Sequence, residues 1–500
     1  MKRESDELKI SLDITTGRFK TTVAHAVSAS VLLTFLTAGC YHAVKPLPEG
    51  LSYGSGWLPA AEARFMSDRS GLDASDRRVA DQEIFDEVFG MIARAERLVL
   101  VDMFLFNDFL GAGPPPHRRL CGELTEALVA RKRAMPGLRA LLITDPVNTV
   151  YGGMESPHLR RLEAAGVEVV VTRLEPLRDS NPAWSGFWRL AVRPWGNRAG
   201  GCLANPFGPG RVTLRSWLSL LNFKANHRKV VAADASGRLR ALVTSANPHD
   251  GSSAHSNVGI VFEGLAAQAV LETEQAVLDL SGYGGAPLCN EFVDAAAHVG
   301  GAADAEGLRI QVLTEGAIAR AAEEMIGGAG RGDRLDLVMF YLADRGIVRA
   351  LKSAAFRGAA LRVTLDPNKD AFGRQKSGMP NRQAARELVA AGAAVRWAVT
   401  SGEQMHSKLL LVSKKDGSAD LLLGSANFTR RNLRDYNLET NVRLSGKPDT
   451  PALRAAADYA DSVWNNTGRV YTVGYDKYRD DSRWRVLRYR LQEATGLCTW

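Results

Sequence analysis

The chain is poor in cysteine, with five in 500 residues and no C-x-x-C pair, so a cysteine-rich zinc module and a dense disulfide framework are excluded. Setting Cys40 aside leaves Cys121, Cys202, Cys289 and Cys498, which are far apart in sequence. They allow three pairings if oxidised and are equally compatible with four reduced thiols. Carboxylates and histidines do not cluster at metal-ligand spacing, so no metal and no other cofactor is expected. Aromatic residues are scarce, at 7%, yet four of the nine tryptophans fall between residues 184 and 217, which marks that stretch as unusual. Acidic residues are outnumbered 55 to 63 by Lys and Arg, and the net charge of +8 favours an anionic partner such as a phospholipid headgroup or nucleic acid. A generically basic surface would have the same balance. With 45% hydrophobic residues, the chain is long enough for two cores of ordinary domain size, as in an α/β enzyme.

What is present is a repeated histidine-lysine signature. His227-Arg228-Lys229 is followed by Asp234, and His406-Ser407-Lys408 by Ser413 at the matching position. Each lies beside an apolar run, Val230-Val231 or Leu409-Leu410-Leu411, and each is trailed about 18 residues later by a Ser-Ala-Asn turn, Ser245-Ala246-Asn247 or Ser425-Ala426-Asn427. A single H-x-K arises easily by chance in a basic chain; two inside the same block do not. Strand alternation puts His and Lys two apart on one side, so each half presents an imidazole beside an ammonium. Other segments repeat as well. Val101-Asp102-Met103-Phe104 matches Val338-Met339-Phe340, Thr144-Asp145-Pro146 matches Leu365-Asp366-Pro367, and the helix endings before Gly166 and Gly392 correspond. The chain is an internal duplication, and its halves should pack as pseudo-symmetric lobes.

Over roughly residues 80 to 465 the chain resembles the phospholipase D superfamily, whose members join two H-x-K-x4-D motifs in one active site, and within it the bacterial cardiolipin synthase branch. The resemblance implies an α/β fold of two phospholipase D-like lobes, each a mixed β-sheet flanked by helices, with the active site at the lobe interface. It implies phosphodiester chemistry through a phosphohistidine, as hydrolysis or as phosphatidyl transfer to an alcohol, without metal. Carried over residue by residue, the catalytic set is His227, Lys229, Asp234, Asn247, His406, Lys408, Asn427 and Glu439, with Ser245, Ser425 and Asn257 lining the substrate. Glu439 falls where the family places an acid on the histidine of its own half, and the matching first-half position is the neutral Asn257. A carboxylate partner raises a histidine's pKa, so His406 is expected to be the proton donor and His227 the nucleophile. Asp416 is close enough in sequence to substitute for the aspartate missing at Ser413. His249 and His255 read as solvated loop residues, and Asp102, Asp145 and Asp366 as turn or capping residues.

The remaining sequence supplies an address and an insertion. Val23 to Ala38 is an apolar run of signal-peptide length, short for a membrane span, and ends in Leu36-Thr37-Ala38-Gly39-Cys40, which looks like a bacterial lipobox with Cys40 lipidated. Attachment to the cell envelope facing the periplasm, with the outer membrane favoured, follows; a short uncleaved anchor and a cytosolic protein are the alternatives. Residues 1–40 are then a signal peptide or anchor and 41–80 a lead-in. The first lobe spans 81–298 with an insertion at about 175–223, the second spans 308–465, and 466–500 form a tail. The insertion interleaves Trp184, Trp188, Trp195 and Trp217 with Arg189, Arg193, Arg198 and Arg215. That chemistry suits a membrane surface, a lid with buried tryptophans, or a stacking platform for nucleic acid. In the tail, Trp484, Leu487 and Leu491 are spaced to cap the core as one face of a helix.

Overall fold

The central strands are apolar on both faces. Leu98–Met103 is buried at every position, as is Lys408–Ser413 except at its last residue, so each sheet must be covered on both sides. The computed structural model describes residues 39–60, 62–111, 117–288, 307–371, 374–498 and 500. The run Val23 to Ala38, Cys289 and most of the Gly/Ala-rich stretch between the lobes lie outside the described residues.

The first sheet has eight strands in the spatial order Arg78–Asp81, Arg64–Leu72, Asn257–Glu263, Arg238–Thr244, Lys229–Ala235, Leu98–Met103, Arg139–Thr144 and Glu168–Val171. The second has nine, in the order Leu58–Pro59, Arg309–Thr314, Thr440–Gly446, Ala419–Gly424, Lys408–Ser413, Arg334–Met339, Ala360–Leu365, Ala394–Ala398 and Thr472–Gly474. Seven consecutive strands correspond from Arg64–Leu72 and Arg309–Thr314 onward, with the same parallel and antiparallel pairings. Both sheets are mixed, which is the duplication expressed as topology. Leu58–Pro59 and Thr472–Gly474, from the lead-in and the tail, extend the second sheet at its two edges.

Alternation decides what each face meets. Leu98, Leu100, Val230 and Ala232 share one core with Leu409, Leu411, Leu421 and Leu423, so the two sheets stack on one another. Their neighbours Val99, Val101, Val231 and Ala233 pack outward on helices Ile84–Arg94 and Leu120–Ala134. In the second lobe Leu337 and Leu410 pack likewise on Arg345–Phe356. Helices Pro157–Ala164 and Asn381–Val389 are each followed by a left-handed glycine, Gly166 and Gly392, that turns the chain into the next strand. Among the described residues no helix is long and apolar enough to cross a membrane.

The insertion is not one continuous layer. It comprises Pro182–Phe187, a single π-turn at Trp188–Val192, the ribbon Leu203–Ala204 with Arg211–Val212, and Leu214–Leu220. The helix Arg483–Thr495 corrects the sequence reading of the tail: Tyr489 and Glu493 are its buried residues, while Trp484, Leu487 and Leu491 point to solvent. The apolar spacing identified the helix, but Tyr489 docks inward because its hydroxyl donates to the Ala343 carbonyl at 2.8 Å.

Candidate active site

Both histidine motifs lie where a strand enters from the lobe interface, and each is held by the other lobe. The His227 amide donates to the Leu438 carbonyl and the His406 amide to the Ser256 carbonyl, both at 2.9 Å. These bonds cross the pseudo-twofold axis and set each imidazole against the residue that follows its acceptor. His227 Nδ1 therefore lies 2.9 and 3.0 Å from the two Glu439 oxygens, and His406 Nδ1 lies 3.1 Å from Asn257 Oδ1. The expectation that Glu439 serves the histidine of its own half is thus corrected. The strand-end bridges Asn226–Leu438 and Ser256–Met405 exchange the partners between lobes.

Each partner is fixed from behind. Ser425 Oγ and Asn432 Nδ2 donate to Glu439, and Ser245 Oγ donates to Asn257 Oδ1 at 3.1 Å. The two serines accept from Thr440 N at 2.9 Å and Val258 N at 3.0 Å respectively. Ser245 and Ser425, both fully buried, therefore support the histidine partners rather than lining a substrate. Asn257 Nδ2 donates to the His255 carbonyl at 3.1 Å, which keeps Oδ1 toward His406. With an acceptor at each Nδ1, both neutral imidazoles take the Nδ1–H tautomer and leave Nε2 as the reactive atom.

Lys229 and Lys408 start the strands and fold back, each donating to the carbonyl of its own motif histidine at 2.7 Å. Phe104 and Phe340 complete the pair. Their rings lie 4.7 and 5.0 Å from His227 and His406 and 5.2 and 5.5 Å from the ammonium groups of Lys229 and Lys408. Asn247 Oδ1 accepts from Leu105 N at 3.3 Å, whereas the buried Asn427 Oδ1 has no hydrogen-bond partner among the described residues.

Burial governs the charges. It holds His227 down to about 4, although Glu439 opposes it. Burial, with Lys408, His255, Lys229 and His227 beside it, holds His406 well below the ordinary imidazole range. Lys229 is lowered to about 7 by burial against the pull of Glu439, and Lys408 falls well below normal through burial and the nearby Lys229. Burial raises the Glu439 carboxyl, but His227, Lys229 and the Ser425 hydrogen bond outweigh it and keep Glu439 below its usual value. Glu439 acts on His227 and both lysines, with Asp102 and Asp145 acting on Lys229 and Asp366 on Lys408, and burial still outweighs them, so the lysines are held short of full compensation. The expected reason for His406 as acid, a carboxylate partner, does not hold, because that carboxylate belongs to His227.

Four further sequence expectations change. Asp234 lies at the far end of its strand, about 17 Å along it from Lys229 at ~3.3 Å per residue, and accepts from the backbone of Glu96, Arg97 and Leu98 at 3.2, 2.8 and 2.7 Å. It is a structural residue. Asp416 does not replace it, since its side chain accepts from Ser418 within its own hairpin. His249 and His255 are buried, not solvated; the His255 ring lies 5.7 Å from that of His406. Asp145 and Asp366 do more than cap turns: their second oxygens accept from Asn226 N at 2.7 Å and Met405 N at 2.9 Å, fixing the residue just before each histidine. The sequence reading missed these aspartates and the two phenylalanines as site residues, although all four sit in the duplicated blocks.

Residues 322–464, which include the second motif, match the family model described as cardiolipin synthase, PLD-like domain. The match falls within the second lobe, which is therefore similar to phospholipase D-like domains. No curated protein gives a match. Among solved structures, the phosphatidylserine synthase of Haemophilus influenzae Rd KW20 aligns with a TM-score of 0.49 at 12% identity, covering 88% of this chain and 94% of that one. Polyphosphate kinase from Porphyromonas gingivalis aligns with a TM-score of 0.44 at 12% identity, over 87% of this chain and 53% of that one. The phospholipase D family member Nuc from Salmonella typhimurium aligns at 19% identity and a TM-score of 0.26, over 32% of this chain and 95% of that one. Arg228 of the first motif is asymmetric: it is fully buried and pairs with Glu274 at 3.2 Å and Glu315 at 2.8 Å, joining the lobes behind the site. Its counterpart Ser407 instead hydrogen-bonds Tyr459 at 2.7 Å.

Proposed function

We propose that this chain is a cardiolipin synthase-like phosphodiesterase or phosphatidyltransferase that acts on phospholipids through a phosphohistidine at His227. The observation that carries the assignment is the asymmetric pairing, Glu439 on His227 and Asn257 on His406. Glu439 accepts the Nδ1 proton and stabilises the positive charge that appears on the ring as Nε2 attacks phosphorus. The N–P bond forms, the bond from phosphorus to the leaving alcohol breaks, and His406 Nε2 gives that oxygen its proton. In the second step His406 takes a proton from water or an acceptor alcohol, whose oxygen attacks phosphorus and releases His227.

The substrate prepares the acid. A phosphodiester anion placed between Lys229 and Lys408 supplies the missing negative charge and raises the pKa of both lysines and of His406, so His406 is protonated only when there is a leaving group to receive the proton. The lysines and the amides of Asn247 and Asn427 face the non-bridging oxygens and stabilise the charge spread over them. The lipobox-like ending at Cys40, which is exposed, and the net charge of +8 support a lipid-anchored protein of the bacterial envelope facing the periplasm, with the membrane surface as partner and phospholipid as substrate.

The test is mass spectrometry of products after incubation with mixed phospholipids and glycerol without added metal, beside a His227→Ala control. Phosphatidic acid marks hydrolysis and glycerol-exchanged lipid marks transfer, each only with the parent chain. Intact lipids together with metal-independent, salt-sensitive cleavage of DNA would assign a periplasmic nuclease instead. Turnover of neither would leave a non-catalytic lipid-binding envelope protein.

A further inference from the structure

The helix Arg483–Thr495 and the insertion, two elements that touch one another, leave large apolar side chains in solvent. On the helix, Trp484 is 72% exposed and Leu487 and Leu491 more than half exposed. On the insertion, Trp195 is 84% exposed, with Leu190 and Phe187 beside it in sequence. Isolated exposed leucines need no explanation, but aromatic and aliphatic residues grouped on two adjoining elements do.

Contacts show that the two elements adjoin. Gly496, at the end of the helix, abuts the Ser180 carbonyl so closely that a side chain there would collide with it. Arg431 bridges the same seam, donating to the Cys498 carbonyl and lying 4.8 Å over the ring of Phe223, the last residue of the insertion. The chain also enters the described structure here. Asp179 N donates to the His42 carbonyl at 2.9 Å, Lys45 Nζ donates to the Glu175 carbonyl at 3.2 Å, Arg178 Nε donates to the Lys45 carbonyl at 2.8 Å, and Gly39 lies against Pro182. The described chain therefore begins, at Gly39, beside the insertion, and Val23 to Ala38 precedes it in sequence.

Cations complete the chemistry. Arg483 and Arg488 on the helix, and Arg198 on the insertion, lack an acidic partner among the described residues, in line with the chain's net positive charge. Between the insertion's turns an open groove of about 530 Å³ is lined by Val192, Trp195 and Leu218, with Arg198 and Arg215 among its other walls. Rings and aliphatic side chains beside unpaired guanidinium groups match the boundary between acyl chains and phosphate headgroups.

We infer that this face, the outer side of Arg483–Thr495 together with the insertion around Trp195, docks on the surface of an anionic phospholipid bilayer. The unpaired Arg198, Arg483 and Arg488 beside the rings favour an anionic bilayer over a second copy of this chain, which carries the same net charge of +8. Docking also places the bilayer close to the chemistry: Tyr489, on the inner side of the helix, packs in one cluster with Phe340, the ring that touches His406. The inference concerns binding and does not depend on the catalytic reading.

The experiment uses the full chain carrying His227→Ala, so that turnover does not alter the lipid. The chain is incorporated into phosphatidylcholine vesicles with or without phosphatidylglycerol, with acyl chains brominated near the headgroup. Bromolipid is expected to quench tryptophan emission when phosphatidylglycerol is present, and Trp195→Phe with Trp484→Phe to abolish most of that quenching. In the catalytically intact chain, Leu487→Glu with Leu491→Glu is expected to lower turnover on vesicles about tenfold, with less than about a twofold change on a soluble phosphodiester. Tryptophans 195 and 484 that stay as open to acrylamide in vesicles as in detergent, with no bromolipid quenching, would overturn the inference. So would a lipid-free dimer, seen by sedimentation, that covers both tryptophans. Bromolipid quenching without turnover of any phosphodiester would leave docking in place and remove the catalytic reading.

Discussion

Glu439→Gln changes one atom of a carboxylate on which three groups converge. Both Glu439 oxygens lie within 3.0 Å of His227 Nδ1, Ser425 Oγ donates to one and Asn432 Nδ2 to the other, and the residue is fully buried. An amide keeps the shape but has only one acceptor oxygen. Asn432 Oδ1 already accepts from Thr429 Oγ1 at 2.6 Å, so its Nδ2 keeps facing residue 439 and takes that oxygen, and the new NH2 group faces Ser425 and His227. Ser425 can rotate; an NH2 group 3.0 Å from Nδ1 opposes the Nδ1–H and favours the ring that accepts there and carries its proton on Nε2, the atom that should attack phosphorus. The comparable acid-to-amide change behind a catalytic imidazole costs about 10⁴-fold, or ~5.4 kcal/mol at 1.36 kcal/mol per decade. We expect kcat on a chromogenic phosphodiester to fall about 10³- to 10⁴-fold with KM within about threefold, since the lysines that bind the phosphate are untouched. Stopped-flow release of nitrophenol measures this, with thermal unfolding confirming that the variant is folded. A variant with kcat within about threefold of the parent would refute the tautomer argument.

Other outcomes follow from the same geometry. His227 must be neutral to attack and is held down to about 4, whereas Lys229 must be charged and is held down to about 7; kcat/KM should therefore rise with pH through about 4 and fall through about 7. A pH–rate profile on a soluble diester checks both limbs, and an alkaline limb near the usual lysine value would contradict the buried-lysine assignment. Asp234→Ala orphans three backbone N–H groups and should lower unfolding stability by about 3 kcal/mol while leaving kcat per folded molecule unchanged; denaturant titration alongside active-site counting separates the two effects. If Asn427 donates to the phosphoryl oxygens as proposed, Asn427→Ala should lower kcat in steady-state kinetics by about 10²- to 10³-fold.

The fold was legible where chemistry and duplication reinforced one another. The repeated H-x-K and Ser-Ala-Asn blocks fixed two like lobes, because a strand, its motif and its return strand recur in the same order. What sequence could not supply was the exchange across the axis. Asn257 and Glu439 align with one another within the repeat, but which histidine each reaches depends on how the lobes cross, and the bridges Asn226–Leu438 and Ser256–Met405 involve residues about 150 to 210 positions apart. Asp234 was misread for a related reason: the motif spacing is linear, while a strand carries a residue five positions on to the opposite end of the sheet. Phe104 and Phe340 were visible as a matched pair, yet an aromatic residue ending a buried strand usually belongs to the core, and only the rings' contact with imidazole and ammonium distinguishes them. The tail helix shows the limit of periodicity. Its spacing defined an apolar face, and the actual inward face was chosen by Tyr489 and its bond to Ala343.

The central claim, that His227 is the nucleophile, is tested most directly by peptide mass spectrometry after a neutral-pH quench of the chain mixed with a phosphodiester. A phosphoryl adduct is expected on the peptide bearing His227, absent from His227→Ala and longer-lived in His406→Ala, which cannot activate the acceptor. An adduct on His406, or turnover at full rate with no adduct on either histidine, would contradict it.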